Sequence, residues 1–111
     1  MPSNTSFVWT AVCPLERILP DTGVCALVGD TQVAVFRVGG QVYAIDNIDP
    51  KSGAAVLSRG LVGSLGERIV VASPLYKQHF DLSTGECLEA PGQGIGCYPA
   101  RIADGQVWVS V

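Results

Sequence analysis

The chain reads as an all-β protein, an antiparallel β-sandwich, and three observations carry that reading. Its apolar residues come in short runs and nowhere at sustained helical spacing. Gly and Pro, 13 and 7 of 111 residues, interrupt it often enough that its elements must be short and joined by tight turns. The dipeptides Gly29-Asp30, Gly39-Gly40 and Asp104-Gly105 each stand between two such runs, which is a hairpin signature.

Taken in order, Phe7 to Val12 is the first expected strand. Pro14 to Ile18 fits one helical turn, which Pro20-Asp21-Thr22-Gly23 stops. Gly23–Val28, Thr31–Val38 and Gln41–Ile45 then form a three-stranded meander. The stretch Val33-Ala34-Val35-Phe36 is apolar at every position, so both of its faces need cover and the strand is central. Residues 46–66 read as loop, and Arg68–Ala72 as a short strand. His79–Leu82 and Glu86–Leu88 pair across Ser83-Thr84-Gly85, and Pro91 to Gly96 is flexible by composition. Tyr98–Ile102 and Gln106–Val111 close the chain as a hairpin, with Val107, Val109 and Val111 on its buried face.

Composition narrows the function. With 48% hydrophobic and 15% charged residues, the chain suits one well-packed domain, residues 1–111, and not a disordered segment. A net charge of −3 without a Lys/Arg cluster argues against nucleic acid or an anionic membrane as partner. Met1 to Thr10 has neither a basic stretch nor a long apolar run, so no signal peptide or membrane anchor is expected and the cytoplasm is the expected compartment. There Cys13, Cys25, Cys87 and Cys97 are expected as reduced thiols that pack as small hydrophobes. A disulfide between Cys87 and Cys97 stays open. A zinc site on Cys87, Cys97 and His79 matches no familiar ligand spacing.

Two segments carry the chemistry: Asp49-Pro50-Lys51-Ser52-Gly53-Ala54, and Ser73-Pro74-Leu75-Tyr76-Lys77-Gln78-His79-Phe80-Asp81 with Thr84-Gly85 behind it. They resemble the two cluster-binding loops of a Rieske iron–sulfur domain. In that family the first loop reads Cys-Pro-His-x-Gly-Ala, and the second Cys-Pro-x-His followed by a Phe-Asp-x-x-Thr-Gly turn. The framework is kept, but Asp49 and Lys51 stand at the first Cys and His, and Ser73 and Tyr76 at the second pair. A Rieske cluster needs thiolates on one iron and neutral imidazoles on the other. A protonated lysine has no lone pair, and hydroxyl or phenol oxygens replace soft sulfur and imidazole poorly. His79 is the single histidine of the chain, so a two-histidine site cannot be rebuilt elsewhere. The resemblance implies a Rieske-like sandwich with two projecting loops and no iron–sulfur cluster.

Within that group the chain is similar to the small subunit of bacterial NAD(P)H-dependent nitrite reductase. The matching segments are residues 22–28, 47–50, 52–54, 56–60 and 72–80, while little matches over Gly92 to Gly96. This resemblance implies an accessory, non-catalytic subunit without a cofactor of its own. It would dock on a large subunit that carries FAD, a [4Fe–4S] cluster and sirohaem and reduces nitrite to ammonium in nitrate assimilation. Two other classes stand beside it: a Rieske-type ferredoxin, which requires a coloured cluster, and a cluster-free interaction module unrelated to nitrite.

Candidate partner contacts are Asp49, Lys51, Ser52, Tyr76, Lys77 and Gln78, because loops on a rigid scaffold carry interactions. Asp49 and Lys51 read as a partner-facing charge pair, with a solvated local ion pair as the plainer alternative. Tyr76 has two readings: a ring packed between the loops with its hydroxyl reaching Asp49, or an exposed aromatic anchor. His79 reads as a hydrogen-bonded structural residue and not a base, and Ser73 lacks a nucleophile's sequence context. Gly53 and Gly85 serve backbone turns, and Trp9 and Trp108 pack in the core or at its rim.

Overall fold

Ten strands, each antiparallel to its neighbours, run through residues 8–111, the part of the chain that the computed structural model describes. They are β1 (Thr10–Pro14), β2 (Thr22–Val28), β3 (Thr31–Val38), β4 (Gln41–Asp46), β5 (Leu61–Leu65), β6 (Arg68–Ala72), β7 (His79–Asp81), β8 (Cys97–Tyr98), β9 (Ala100–Ala103) and β10 (Gln106–Val109). Three single 3-10 turns, Leu15–Arg17, Leu57–Arg59 and Pro91–Gln93, are the only helical elements among the described residues. The strands form three sheets, ordered β1-β10-β9, β2-β3-β4-β8 and β5-β6-β7.

Strand β3 holds these layers together. Val33, Ala34, Val35 and Phe36 are all fully buried, as its two-sided apolar pattern predicts. Because successive strand residues face opposite ways, Val33 and Val35 join a first core with Val42, Ala44, Val107, Val109, Val28 and Ile18. Ala34 and Phe36 join a second with Ile45, Leu57, Val71, Phe80, Leu82 and Cys87. The meander therefore lies between the β1-β10-β9 sheet on one face and the β5-β6-β7 sheet on the other. The turns at all three dipeptides carry positive φ: Gly29 alone in the first, Gly39 and Gly40 in the second, and Asp104 and Gly105 in the hairpin between β9 and β10.

Several boundaries move. The expected first strand begins at Phe7, which lies outside the described residues, whereas β1 runs to Pro14 with a bulge between Ala11 and Cys13. Residues 61–65, expected as loop, are β5. This edge strand pairs with β6 across Gly66 and leaves Leu61 and Leu65 exposed, so its apolar residues face solvent as well as the core. Glu86–Leu88 returns along β7 only as a bridge between Phe80 and Cys87. Tyr98 pairs with Ala44 on β4, because Pro99, which has no N–H for a ladder, divides it from β9. The final alternation ends at Val109: Ser110 is buried and Val111 exposed. Pro91 to Gly96, flexible by composition, is pinned at several points. Ile95 N–H donates to Gly85 O at 2.8 Å, Gly96 N–H to the Asp46 carboxylate at 2.7 Å, and Asp46 N–H to Gly96 O at 3.0 Å.

Candidate functional site

The two loops of interest project from the side of the second core, one after β4 and one between β6 and β7. In the first, Asp49 N–H donates to Ala54 O at 2.8 Å and Gly53 N–H to Asp49 O at 2.7 Å. Gly53 supplies the positive φ that this tight return requires. The Asp49 side chain turns inward and is fully buried. Its Oδ1 accepts the N–H groups of Lys51 at 2.8 Å and Ser52 at 3.3 Å, two donors that the bend would otherwise leave unpaired. The second loop closes in the same manner. Ser73 N–H donates to Gln78 O at 2.9 Å, and Lys77 N–H to Ser73 O at 3.0 Å.

Two side-chain pairs then join the loops. Buried Ser73 donates its hydroxyl to Oδ2 of Asp49. Above them the Lys51 ammonium lies 4.7 Å from the centroid of the Tyr76 ring. Asp49 is therefore corrected from a partner-facing charge to a buried acceptor, since both carboxylate oxygens are engaged inside the tip. Of the two readings of Tyr76, the ring is half-exposed and the hydroxyl that meets Asp49 belongs to Ser73. Lys51, Ser52 and Lys77 are exposed and Gln78 is half-buried. Leu75, half-exposed beside Tyr76, adds an apolar side chain that no sequence motif singles out.

Behind the tip, Asn47 fastens the first loop to the meander. It is buried, its Nδ2 donates to Cys25 Sγ at 3.3 Å, and its Oδ1 accepts Ser58 N–H at 2.8 Å. Nothing in the sequence around Asn47 marks this role, because its partners lie on β2 and in the Leu57–Arg59 turn. Asp81 does the corresponding work for the second loop. Its Oδ1 accepts the N–H of Ser83 at 2.7 Å and of Thr84 at 3.2 Å, and its Oδ2 accepts Arg68 Nε–H at 2.7 Å. Arg68 also pairs with Glu86. Gly85 has positive φ, and a Cβ there would stand 2.1 Å from Ile95 O, so both reasons for a glycine hold.

His79 is held by Glu89, which accepts its backbone N–H at 2.7 Å and meets Nδ1 at 2.6 Å. The backbone N–H, and then the ring, keep the Glu89 carboxyl below the usual range. All four cysteines are free thiols, but only Cys87 is buried; Cys25 and Cys97 are exposed, against the expectation that all pack as small hydrophobes. Cys97 faces Ser83 O at 3.3 Å, and burial, then Asp81, push its thiol upward. No group of three or more His, Cys, Asp or Glu side chains suited to a metal occurs among the described residues. Trp108 donates to Ala103 O at 3.2 Å and Trp9 carries the Arg101 guanidinium at 4.3 Å, both as half-buried rim residues.

The model of the Rieske-like [2Fe–2S] domain family matches residues 8–110. The nitrite reductase (NADH) small subunit of Escherichia coli strain K12 is 50% identical over 101 residues, covering 89% of this chain and 94% of that protein. The chain belongs to the nitrite reductase small-subunit family of Rieske-like domains. The nitrite reductase [NAD(P)H] large subunit of Klebsiella oxytoca is 44% identical over 108 residues, which are 97% of this chain and only 11% of that polypeptide. The NMR structure of the E. coli protein NirD superposes with a TM-score of 0.89 at 47% identity, covering 96% and 98% of the two chains. The anthranilate 1,2-dioxygenase ferredoxin subunit of Burkholderia cepacia is less similar, 32% identical over 112 residues and essentially the full length of both chains.

The group implied by the family description can be tested against the side chains at the tip. A carboxylate with both oxygens hydrogen-bonded, an ammonium over a ring, a hydroxyl that donates to the carboxylate and a phenol offer neither thiolate nor imidazole. These residues do not fit a Rieske [2Fe–2S] cluster.

Proposed function

We propose that this chain is the small, non-catalytic subunit of an NAD(P)H-dependent nitrite reductase that reduces nitrite to ammonium in the cytoplasm. The observation that carries the reading is 50% identity to a small subunit across almost the whole of both chains. A large subunit with FAD, a [4Fe–4S] cluster and sirohaem would supply the chemistry, and this chain, without a cluster, would relay no electron. The Klebsiella protein supports such a partner, because there a similar domain is part of the large polypeptide itself. The contact surface is the exposed part of the tip: Lys51, Ser52, Leu75, Tyr76 and Lys77, with Gln78 at its edge. An exposed aromatic flanked by an apolar side chain and two flexible cations, on loops stiffened from beneath, is the composition of a binding anchor.

The Rieske-type ferredoxin reading is weaker. It rests on 32% identity, and it needs four ligands where this chain has Asp49, Lys51, Ser73 and Tyr76. No helix among the described residues is long and apolar enough to cross a membrane. The test is capture of partners by the tagged chain from its own host grown on nitrate. Recovery of a large sirohaem- and flavin-containing protein, with nitrite-dependent NAD(P)H oxidation in the eluate, is the expected result. A colourless chain that captures nothing under those conditions overturns the proposal.

A further inference from the structure

Four positions that would carry metal ligands are occupied here by two interacting pairs, and the pairing follows the pattern of the missing cluster. In a Rieske centre one iron takes the thiolates and the other the imidazoles. Aligned on the two loops, each iron would draw one ligand from each loop. Here Asp49 of the first loop is bonded to Ser73 of the second, at the thiolate positions, and Lys51 stacks on Tyr76, at the imidazole positions. The first bridge also has the same number of atoms. Between the two Cβ atoms lie Cγ, Oδ2 and Oγ, where a cysteine pair would place sulfur, iron and sulfur. Aspartate is longer than cysteine by one link, so one of its atoms takes the place in the chain of atoms that the metal would have held.

We infer that the Asp49–Ser73 bond and the Lys51–Tyr76 stack are a side-chain clamp that does the cluster's mechanical work, holding the two loops in a cluster-binding arrangement without metal. Each loop is closed by its own backbone bonds, but between the loops these are the side-chain links the structure shows. Asp49 and Ser73 are buried and Lys51 and Tyr76 exposed, so the first pair supplies the hold and the second covers it. Tip shape is then independent of iron supply and of oxidation state.

One experiment returns the four ligands together: Asp49→Cys, Lys51→His, Ser73→Cys and Tyr76→His, with anaerobic reconstitution by ferric iron and sulfide. The expected result is a red-brown protein with about two irons and two sulfides per chain and a paramagnetic signal on reduction, while the parent chain treated identically takes up none. A variant that keeps the parent's circular dichroism and elution volume yet stays colourless would show that the four positions do not stand at cluster spacing, and the inference falls. Because that variant also removes both pairs, their holding role is tested separately by a double-mutant cycle on Asp49→Ala and Ser73→Ala. A clamp predicts that the pair lowers the melting temperature by clearly less than the sum of the two single effects, and strict additivity overturns it. Neither readout involves the large subunit, so this inference and the proposed function can fail separately.

Discussion

The two cores on either side of β3 are built on different rules. The first is aliphatic throughout: Ile18, six valines that include Val107 and Val109, and Ala44 beside them. The second contains both fully buried phenylalanines, Phe36 and Phe80, and its half of the molecule also holds the buried Asn47, Asp49, Ser73 and Asp81. On the far side Ser110 alone is buried and polar among the described residues. The backbone explains the contrast. Strands around the first core pair their N–H groups in ladders, so the interior needs only apolar filling. The loops over the second core leave N–H groups at residues 51, 52, 58, 83 and 84 without ladder partners, and buried acceptors must come from side chains.

The largest effects should come from truncating the cores. Phe80→Ala is expected to cost about 3–5 kcal/mol and Ile18→Ala about 2–5 kcal/mol in urea unfolding. Hydrogen exchange separates them further: Phe80→Ala should deprotect the Lys51 and Ser52 amides before global unfolding, and Ile18→Ala should not. Equal loosening in both variants would erase the distinction between the halves.

Asp49→Ala should cost about 1–3 kcal/mol, because two backbone donors and the Ser73 hydroxyl lose their acceptor in a buried place. Asp49→Asn should recover part of this, since its carbonyl still accepts one set. An Asp49→Ala variant as stable as the parent would mean that the second half does not depend on its polar interior.

Tyr98 tests the seam between the halves. Burial, followed by its bond to Asp46 at 2.6 Å, raises the phenol from an ordinary value of 10 to about 12. The folded chain therefore holds this proton more tightly than the unfolded chain. The resulting stability is complete below about pH 10 and is lost as the pH climbs toward about 12. Urea midpoints should fall across that window, and Tyr98→Phe should flatten this part of the profile. A slope that Tyr98→Phe leaves untouched assigns it to other groups.

The smallest effect on stability belongs to Lys51→Ala. An exposed cation over an aromatic ring contributes about 0.5–1 kcal/mol. Its effect on partner capture should be much larger than that figure suggests if the tip is the contact surface, and a variant that unfolds slightly earlier but binds fully places the contact elsewhere.

Much of this was legible in advance. The Val33–Phe36 run placed the central strand, because a strand apolar on both faces has to be covered twice. The glycine dipeptides placed the turns, because few residues accept positive φ. The ligand substitutions were readable because metal chemistry is decided by residue type. Strand β5 was not legible: Leu61-Val62-Gly63-Ser64-Leu65 has weak alternation and two glycines nearby, and only pairing with β6 makes it a strand. Asp49 misled for a related reason. A charged residue in a loop signals solvent until three donors, one of them 24 residues away on the other loop, surround its carboxylate.

The linear order of residues thus settled what is local: short strands, tight turns, and which side chains stand at the four ligand positions. Tertiary structure alone decided where those side chains point, which of them meet, and which remain outside. The reason is that backbone conformation depends on near neighbours in the chain. The burial of a carboxylate depends on donors brought to it by distant segments, and these converge only when both cores have formed.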